Sequence, residues 1–213
     1  MKLLSDTLIW ISANQGMFIK SIVEHLYLVG LSVGLALLVG VPLGLLLSRS
    51  GSLAHPVMSL VNLSQMLPSL ALLALMLPLF GVGVKPAVMA LFIRSVLPIL
   101  QNTYVGIMNV DRSFKEAAIG MGMTPTQMLI RVEFPLALYV IMAGIKTAVV
   151  LSISLATLSA LIGAGGLGNI IFTGIHVLNE PMILTGSIST TVLAVGSYYV
   201  MSYLEKVMAA RPM

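Results

Sequence analysis

Residues 116–135, EAAIGMGMTPTQMLIRVEFP, form a polar, charged stretch wedged between two apolar segments, each long enough to cross a bilayer. A helix needs about 20 predominantly apolar residues to span the hydrocarbon slab. A chain with several such segments must thread the membrane repeatedly. Within the slab every backbone polar group has to be bonded internally, so the spans are expected to be helices and the fold an all-α bundle. Charged residues make up only 8% of the chain and hydrophobic ones 58%, with a mean hydropathy of +1.06. These values exclude a soluble globular protein. The 213 residues leave room for about five spans with short loops, and a single transmembrane domain, 1–213, is expected. There is no cysteine, hence no disulfide framework, thiolate metal site or cysteine nucleophile. The formal charge of +4 fits basic inner loops better than nucleic-acid binding.

The first twenty residues are interrupted too often by polar groups to span and lack a signal-like cleavage site, so they read as an interfacial segment with Trp10 at headgroup depth. Spans are then expected at Ile22–Leu47, Pro56–Phe80 with a kink or break at Pro68, Pro86–Met108, Pro135–Leu161 and Ile183–Met201. With the N-terminus outside, Arg49, Arg112, Lys115, Arg131, Lys206 and Arg211 lie on the inner face, against Lys2, Lys20 and Lys85 outside. The excess of inner basic residues favours N-out, C-in. It also places the 111–134 loop in the cytoplasm.

The loop reads as a short helix with small alanines, Ala117 and Ala118, then a turn at Gly122, a second short helical piece, and Pro135 at the head of the next span. Glu116 is expected near the helix start, where it would complement the dipole or meet a cationic partner. The spacing of Glu116, Ala117, Ala118, Gly122 and Pro135 resembles the EAA loop by which importer permeases of the ATP-binding cassette class dock onto their ATPase subunits.

The resemblance extends along the chain. SQMLPSLALLALMLPLFGVG (64–83), LPILQNTYVGI (97–107), GMGMTPTQMLIRVEFPLAL (120–138), IMAGIKTA (141–148) and ATLSALIGAGGLG (156–168) resemble permeases of osmoprotectant importers for glycine betaine, carnitine and choline. The loop and GAGGLG also occur in related importers, including the methionine type. The resemblance implies a type I importer permease in the inner membrane, paired with a second permease, self or paralogue. It further implies two ATPase subunits that bind the ATP and, since no fused binding domain is seen, a separate extracytoplasmic binding protein. The lipid bilayer is the surrounding partner, no nucleic acid is involved, and the chain itself is not an enzyme and binds no cofactor.

GAGGLG (163–168) lacks the preceding strand and terminal Gly-Lys-Ser/Thr of a phosphate-binding loop. It reads either as a tight turn at the outer end of the fourth span or as a contact for the binding protein. His176 reads as a solvated loop residue, and no metal site is expected. Two cations, Arg94 and Lys146, fall inside spans, where a charge costs about 2.5–3.5 kcal/mol and faces a bundle interior or a water-filled cavity. Arg94 is expected to be shallow enough to snorkel outward, and Lys146 lies near the midplane. No carboxylate is expected within the spans to pair with either. Each is therefore a translocation-path candidate, with a carbonyl-bound or snorkelling cation as the alternative. Gln65, Ser69, Ser154 and Thr157 complete the candidate path. The aromatic residues, one Trp, six Tyr and six Phe, show no cluster of the kind that cages a quaternary ammonium. An ion-coupled carrier would call for intramembrane carboxylates, and counts as the weaker alternative to an importer permease for another solute.

Overall fold

The computed structural model describes residues 2–209; Arg211, counted above on the inner face, lies outside them. Ten α-helices are described: α1 (Lys2–Ala13), α2 (Gln15–Arg49), α3 (Gly51–Gln65), α4 (Ser69–Phe80), α5 (Val84–Met108), α6 (Arg112–Gly120), α7 (Pro125–Met128), α8 (Phe134–Leu158), α9 (Leu167–His176) and α10 (Glu180–Ala209). A wide π turn, Leu129–Glu133, leads into α8, and a 3₁₀ turn, Ser159–Ile162, follows it. Four helical stretches are long and apolar enough to cross a membrane: Gln15–Arg49, Val84–Met108, Pro125–Ile162 and Glu180–Met208.

The expected second span, Pro56–Phe80, is not one helix. Proline disfavours helical geometry at the residue before it and cannot itself donate a backbone bond. The chain opens at Met66–Pro68, with Pro68 in an extended conformation (ψ 135°) ahead of α4. The 12 residues of α4 reach only about 18 Å at the helical rise, too short to span alone. The N-terminal boundary also shifts. A break at Asn14 separates α1 from α2, which starts at Gln15 rather than Ile22, and Trp10 packs against the buried trio Leu167, Ile170 and Met182 on α9 and α10.

Helices α2, α5 and α8 form the centre. Their shared core includes Leu28, Val33, Leu91, Ile153 and Ala156, joined by Leu73 of α4, with Ala36, Ile99 and Ala148 further along. In lipid there is little hydrophobic gain in joining helices, so close packing and interhelical hydrogen bonds must do it. The hydroxyls of Ser95 on α5 and Ser152 on α8 meet at 2.6 Å, and Ser95 also donates to the Leu91 carbonyl at 2.7 Å. Glycine sets the closest approaches. A Cβ at Gly144 would lie 2.6 Å from Asn102 Cβ and 2.7 Å from the Pro98 carbonyl oxygen.

That backbone oxygen cannot retreat without moving α5. Gly144→Val should therefore cost about 1–3 kcal/mol by overpacking, seen as a lower Tm of the detergent-solubilised chain. Gly34→Val, where nothing lies within 4 Å of the added Cβ, should leave Tm nearly unchanged. Equal shifts would contradict the α5–α8 contact.

Candidate functional site

The loop between α5 and α8 is built from two capped helical pieces. Asp111 begins α6 by accepting the Ser113 N–H at 2.8 Å, and this bond holds the Asp111 carboxyl below the usual carboxylate range. Since α6 starts at Arg112, Glu116 sits a full turn inside the helix. The acid that complements the dipole is therefore Asp111 rather than Glu116. Glu116 instead takes the Arg112 Nε–H at 2.8 Å on an exposed face. Ala118 is fully buried and Ala117 exposed.

Gly122 closes α6 at φ 75°. Met123 N–H reaches back to the Ala118 carbonyl (3.1 Å) and Gly122 N–H to that of Ile119 (2.9 Å). This is the paired-bond glycine termination that satisfies the last carbonyls of a helix. Thr124 then caps α7: its hydroxyl accepts the Gln127 N–H at 3.3 Å while the Gln127 side chain accepts the Thr124 N–H at 2.9 Å. Pro135, near the start of α8, cannot donate to Arg131, and the preceding turn widens to the π form Leu129–Glu133. Phe114, Ile119, Met121 and Ile130 stay more than half exposed on this loop. Side chains so apolar suit a protein surface more than water.

Beneath the loop lies Glu133, 1% exposed and not singled out by the sequence reading. Its carboxylate pairs with Arg49 at the end of α2 and with Lys115 on α6 at 3.7 Å. Arg49 also donates to the Pro125 carbonyl at the start of α7 (3.5 Å), and Lys115 to the Ile107 carbonyl near the end of α5 (3.3 Å). One buried acid thus gathers the ends of α2 and α5, both loop helices and the foot of α8. A carboxylate at the mouth of an apolar span, beside Arg131 and across the loop from Arg112 and Lys115, was the available signal. Its register against Arg49 was not readable.

The other candidates separate into distinct environments. Lys146, expected to lack an acid, donates to Glu205 Oε2 at 2.5 Å and sits 5.2 Å from the centre of the Tyr198 ring. The reading missed this because it ended the last span at Met201, whereas α10 continues to Ala209. Tyr198 and its chain neighbour Tyr199 meet edge to face at 5.7 Å, a pair rather than a cage. Arg94 is tied to backbone carbonyls, the alternative given for it above. Its Nη1 donates to the carbonyls of Gln65 (3.0 Å) and Leu67 (3.4 Å) at the open end of α3. Gln65 Nε2 donates to Gln101 Oε1 at 3.0 Å, and Ser69 opens α4 beside them. Ser154 and Thr157 instead bond to the carbonyls of Val150 and Ile153 in their own helix and join none of this.

At the far end of the bundle GAGGLG is a turn, with Gly163, Gly165 and Gly166 all at positive φ (78°, 82°, 80°). Gly166 N–H donates to Glu24 Oε2 on α2 at 3.0 Å. Glu24 lies within a spanning helix, so the expectation of carboxylate-free spans is corrected.

Among the described residues, four helices long and apolar enough to cross a membrane, joined by a capped loop that stands on a buried ion cluster, make this a multi-pass membrane protein. The chain belongs to the family of binding-protein-dependent transport system inner membrane components, whose family model matches residues 18–211. The choline transport system permease protein OpuBB of Bacillus subtilis (strain 168) is 44% identical over 92% of this chain and 91% of its own. The glycine betaine/carnitine/choline transport system permease protein OpuCB of the same organism is 42% identical over 95% and 94%. The fold is similar to that of a chain of the MetNI methionine ABC transporter in inward facing conformations, with TM-score 0.84 and 20% identity over 91% of this chain and 97% of that one. The protein is accordingly an ABC importer permease. Family membership, rather than a lack of membrane carboxylates, disposes of the ion-coupled carrier.

Glu133→Gln leaves Arg49 and Lys115 facing a neutral amide. The loss should be about 3 kcal/mol, at the low end for a broken buried pair because both cations keep some solvent access. Thermal unfolding should show it as a lower Tm, and uptake by the assembled transporter should fall more steeply than the amount of inserted permease. Unchanged uptake and Tm would mean that Glu133 does not hold the loop.

Proposed function

We propose that this permease forms half of the translocation pathway of an importer for quaternary-ammonium osmoprotectants of the glycine betaine, carnitine and choline type. The observation that carries the reading is the exposed, doubly capped loop 111–134, tied through Glu133 to the feet of three spanning helices. A loop fastened in this way moves with the bundle, so a partner that grips it moves the pathway. The solute class is supported by the names of relatives more than 40% identical over nearly the whole chain. The methionine transporter shares only the fold, and an importer for methionine or another amino-acid-like solute remains the second reading.

In this account the chain is a single membrane domain in the bacterial cytoplasmic membrane, N-terminus outside and C-terminus inside. It pairs with a second permease, two ATPase subunits and an extracytoplasmic binding protein. ATP is bound and hydrolysed by the ATPase subunits, whose closure is passed through Glu116, Ala117, Ala118, Gly122 and Pro135 of the loop to the spans. Arg94, Gln65 and Ser69 border the path near the α3–α4 break. Lys146, held by Glu205, fastens α8 to α10.

Gly122 tests the docking role cleanly, because nothing lies within 4 Å of an added Cβ and only its φ of 75° resists substitution. A β-branched residue there is strained by about 1–3 kcal/mol. Gly122→Val should leave the permease in the membrane yet lower solute uptake about tenfold in complexes reconstituted with ATPase subunits and binding protein. Gly122→Asn, which tolerates this region, should retain most of the uptake. Full activity of the valine variant would refute the docking assignment.

A further inference from the structure

Five of the eleven Lys and Arg residues of this chain have a carboxylate in the structure. Arg49 and Lys115 share Glu133, Arg112 has Glu116, Lys20 has Glu24 at 3.7 Å and Lys146 has Glu205. Among the described residues Arg94 is the cation that stands deep in a spanning helix with none. It lies ten residues after Val84 in the 25-residue α5, about 15 Å along the helix. A charge at that depth does not face lipid. Its neighbours agree, since Gln65 is exposed and Gln101 half-buried in the lone chain, and amides at mid-depth belong to a watered path or a covered interface.

Among the described residues Nη1 is the nitrogen that is engaged, by the two carbonyls left open where Pro68 breaks the helix. The guanidinium carries five N–H donors in a planar fork. With Nη1 held on the break, its orientation is fixed, and the Nε–Nη2 edge presents two parallel donors, the geometry that a carboxylate accepts with both oxygens. Gln101 is two helical turns further along the same face of α5. The bond from Gln65 Nε2 occupies Gln101 Oε1 and leaves the Gln101 amide N–H groups to donate.

We propose that the α3–α4 break holds a carboxylate subsite in the pathway, where Arg94 receives the acid group of a zwitterionic solute and Gln101 adds a neutral donor. The inference rests on the proposed solute class. It gives the pathway a contact that distinguishes glycine betaine and carnitine, which bear a carboxylate, from choline, which does not. Lys146 is excluded from that role by Glu205.

The test uses the complete transporter in proteoliposomes, with permease, ATPase subunits and binding protein, and radiolabelled glycine betaine, carnitine and choline. Arg94→Lys keeps a cation for the carbonyls but loses the fork. It should lower the ratio of carboxylate-bearing solute uptake to choline uptake about tenfold, the scale of one charge-assisted pair. Gln101→Met, which leaves the Arg94 bonds in place, should shift the same ratio in the same direction by a smaller factor. An unchanged ratio, whether from equal loss on all three solutes or from no loss, overturns the subsite and makes Arg94 a clasp of the helix break. If the wild-type complex takes up none of the three, the solute class itself is wrong and the subsite falls with it.

Discussion

The buried carboxylate of Glu133 is the contact on which the loop end of this permease depends. A single negative charge at 1% exposure would be untenable alone, since removing an ion from water costs several kcal/mol even after relaxation. Two cations from different elements resolve that cost, and in doing so they fix where those elements lie. Arg49 brings the end of α2 and Lys115 brings α6. Each cation also bonds a backbone carbonyl, of Pro125 and Ile107 respectively, so the cluster reaches α7 and α5 as well. The loop is thereby a bracket bolted to the bundle rather than a tether between spans.

The same economy governs the interior. Prolines open the backbone at chosen places, and polar groups fill the gaps. Pro68 breaks the α3–α4 segment, and Arg94 takes the freed carbonyls. Pro135 widens the turn before α8, which swings Glu133 inward beneath the loop. Where α2 and α8 press against α5, Gly44 and Gly144 remove the side chain altogether. At the opposite end, three left-handed glycines turn the chain so that a backbone N–H, that of Gly166, meets Glu24. Glu24, Lys146 and Glu205 are thus held by the chain itself, while Arg94 still has donors to offer.

Much of this was legible in the order of residues, because a membrane leaves few choices. Apolar length announced α2, α5, α8 and α10, and the spacing of Glu116, Gly122 and Pro135 announced the loop with its turn. Proline placed the break at residue 68. The misses share one physical origin: pairing across the bundle depends on helix register and end points, which short-range pattern does not encode. Ending the last span at Met201 hid Glu205 from Lys146. Starting the loop helix near Glu116 obscured Asp111 as its cap, and nothing local marked Glu133 as the partner of Arg49, 84 positions away. Glu24, by contrast, stands inside the expected first span and needs no register to be seen.

If the Glu133 cluster holds, loop and bundle move as one body, and a distance between them reports it. The chain has no native cysteine, so spin labels can be placed on cysteines introduced at the exposed positions Leu46 on α2 and Arg112 on α6. In the assembled transporter, electron–electron distance measurements would compare the nucleotide-free and ATP-trapped states. The account predicts that the label separation within one permease changes by no more than about 2 Å, the scale of a packed-helix shift, while Glu133→Gln broadens the distribution and makes it nucleotide-dependent. A change of about 5 Å or more in the wild type, a full helical turn, would show the loop swinging free of the bundle and contradict the claim.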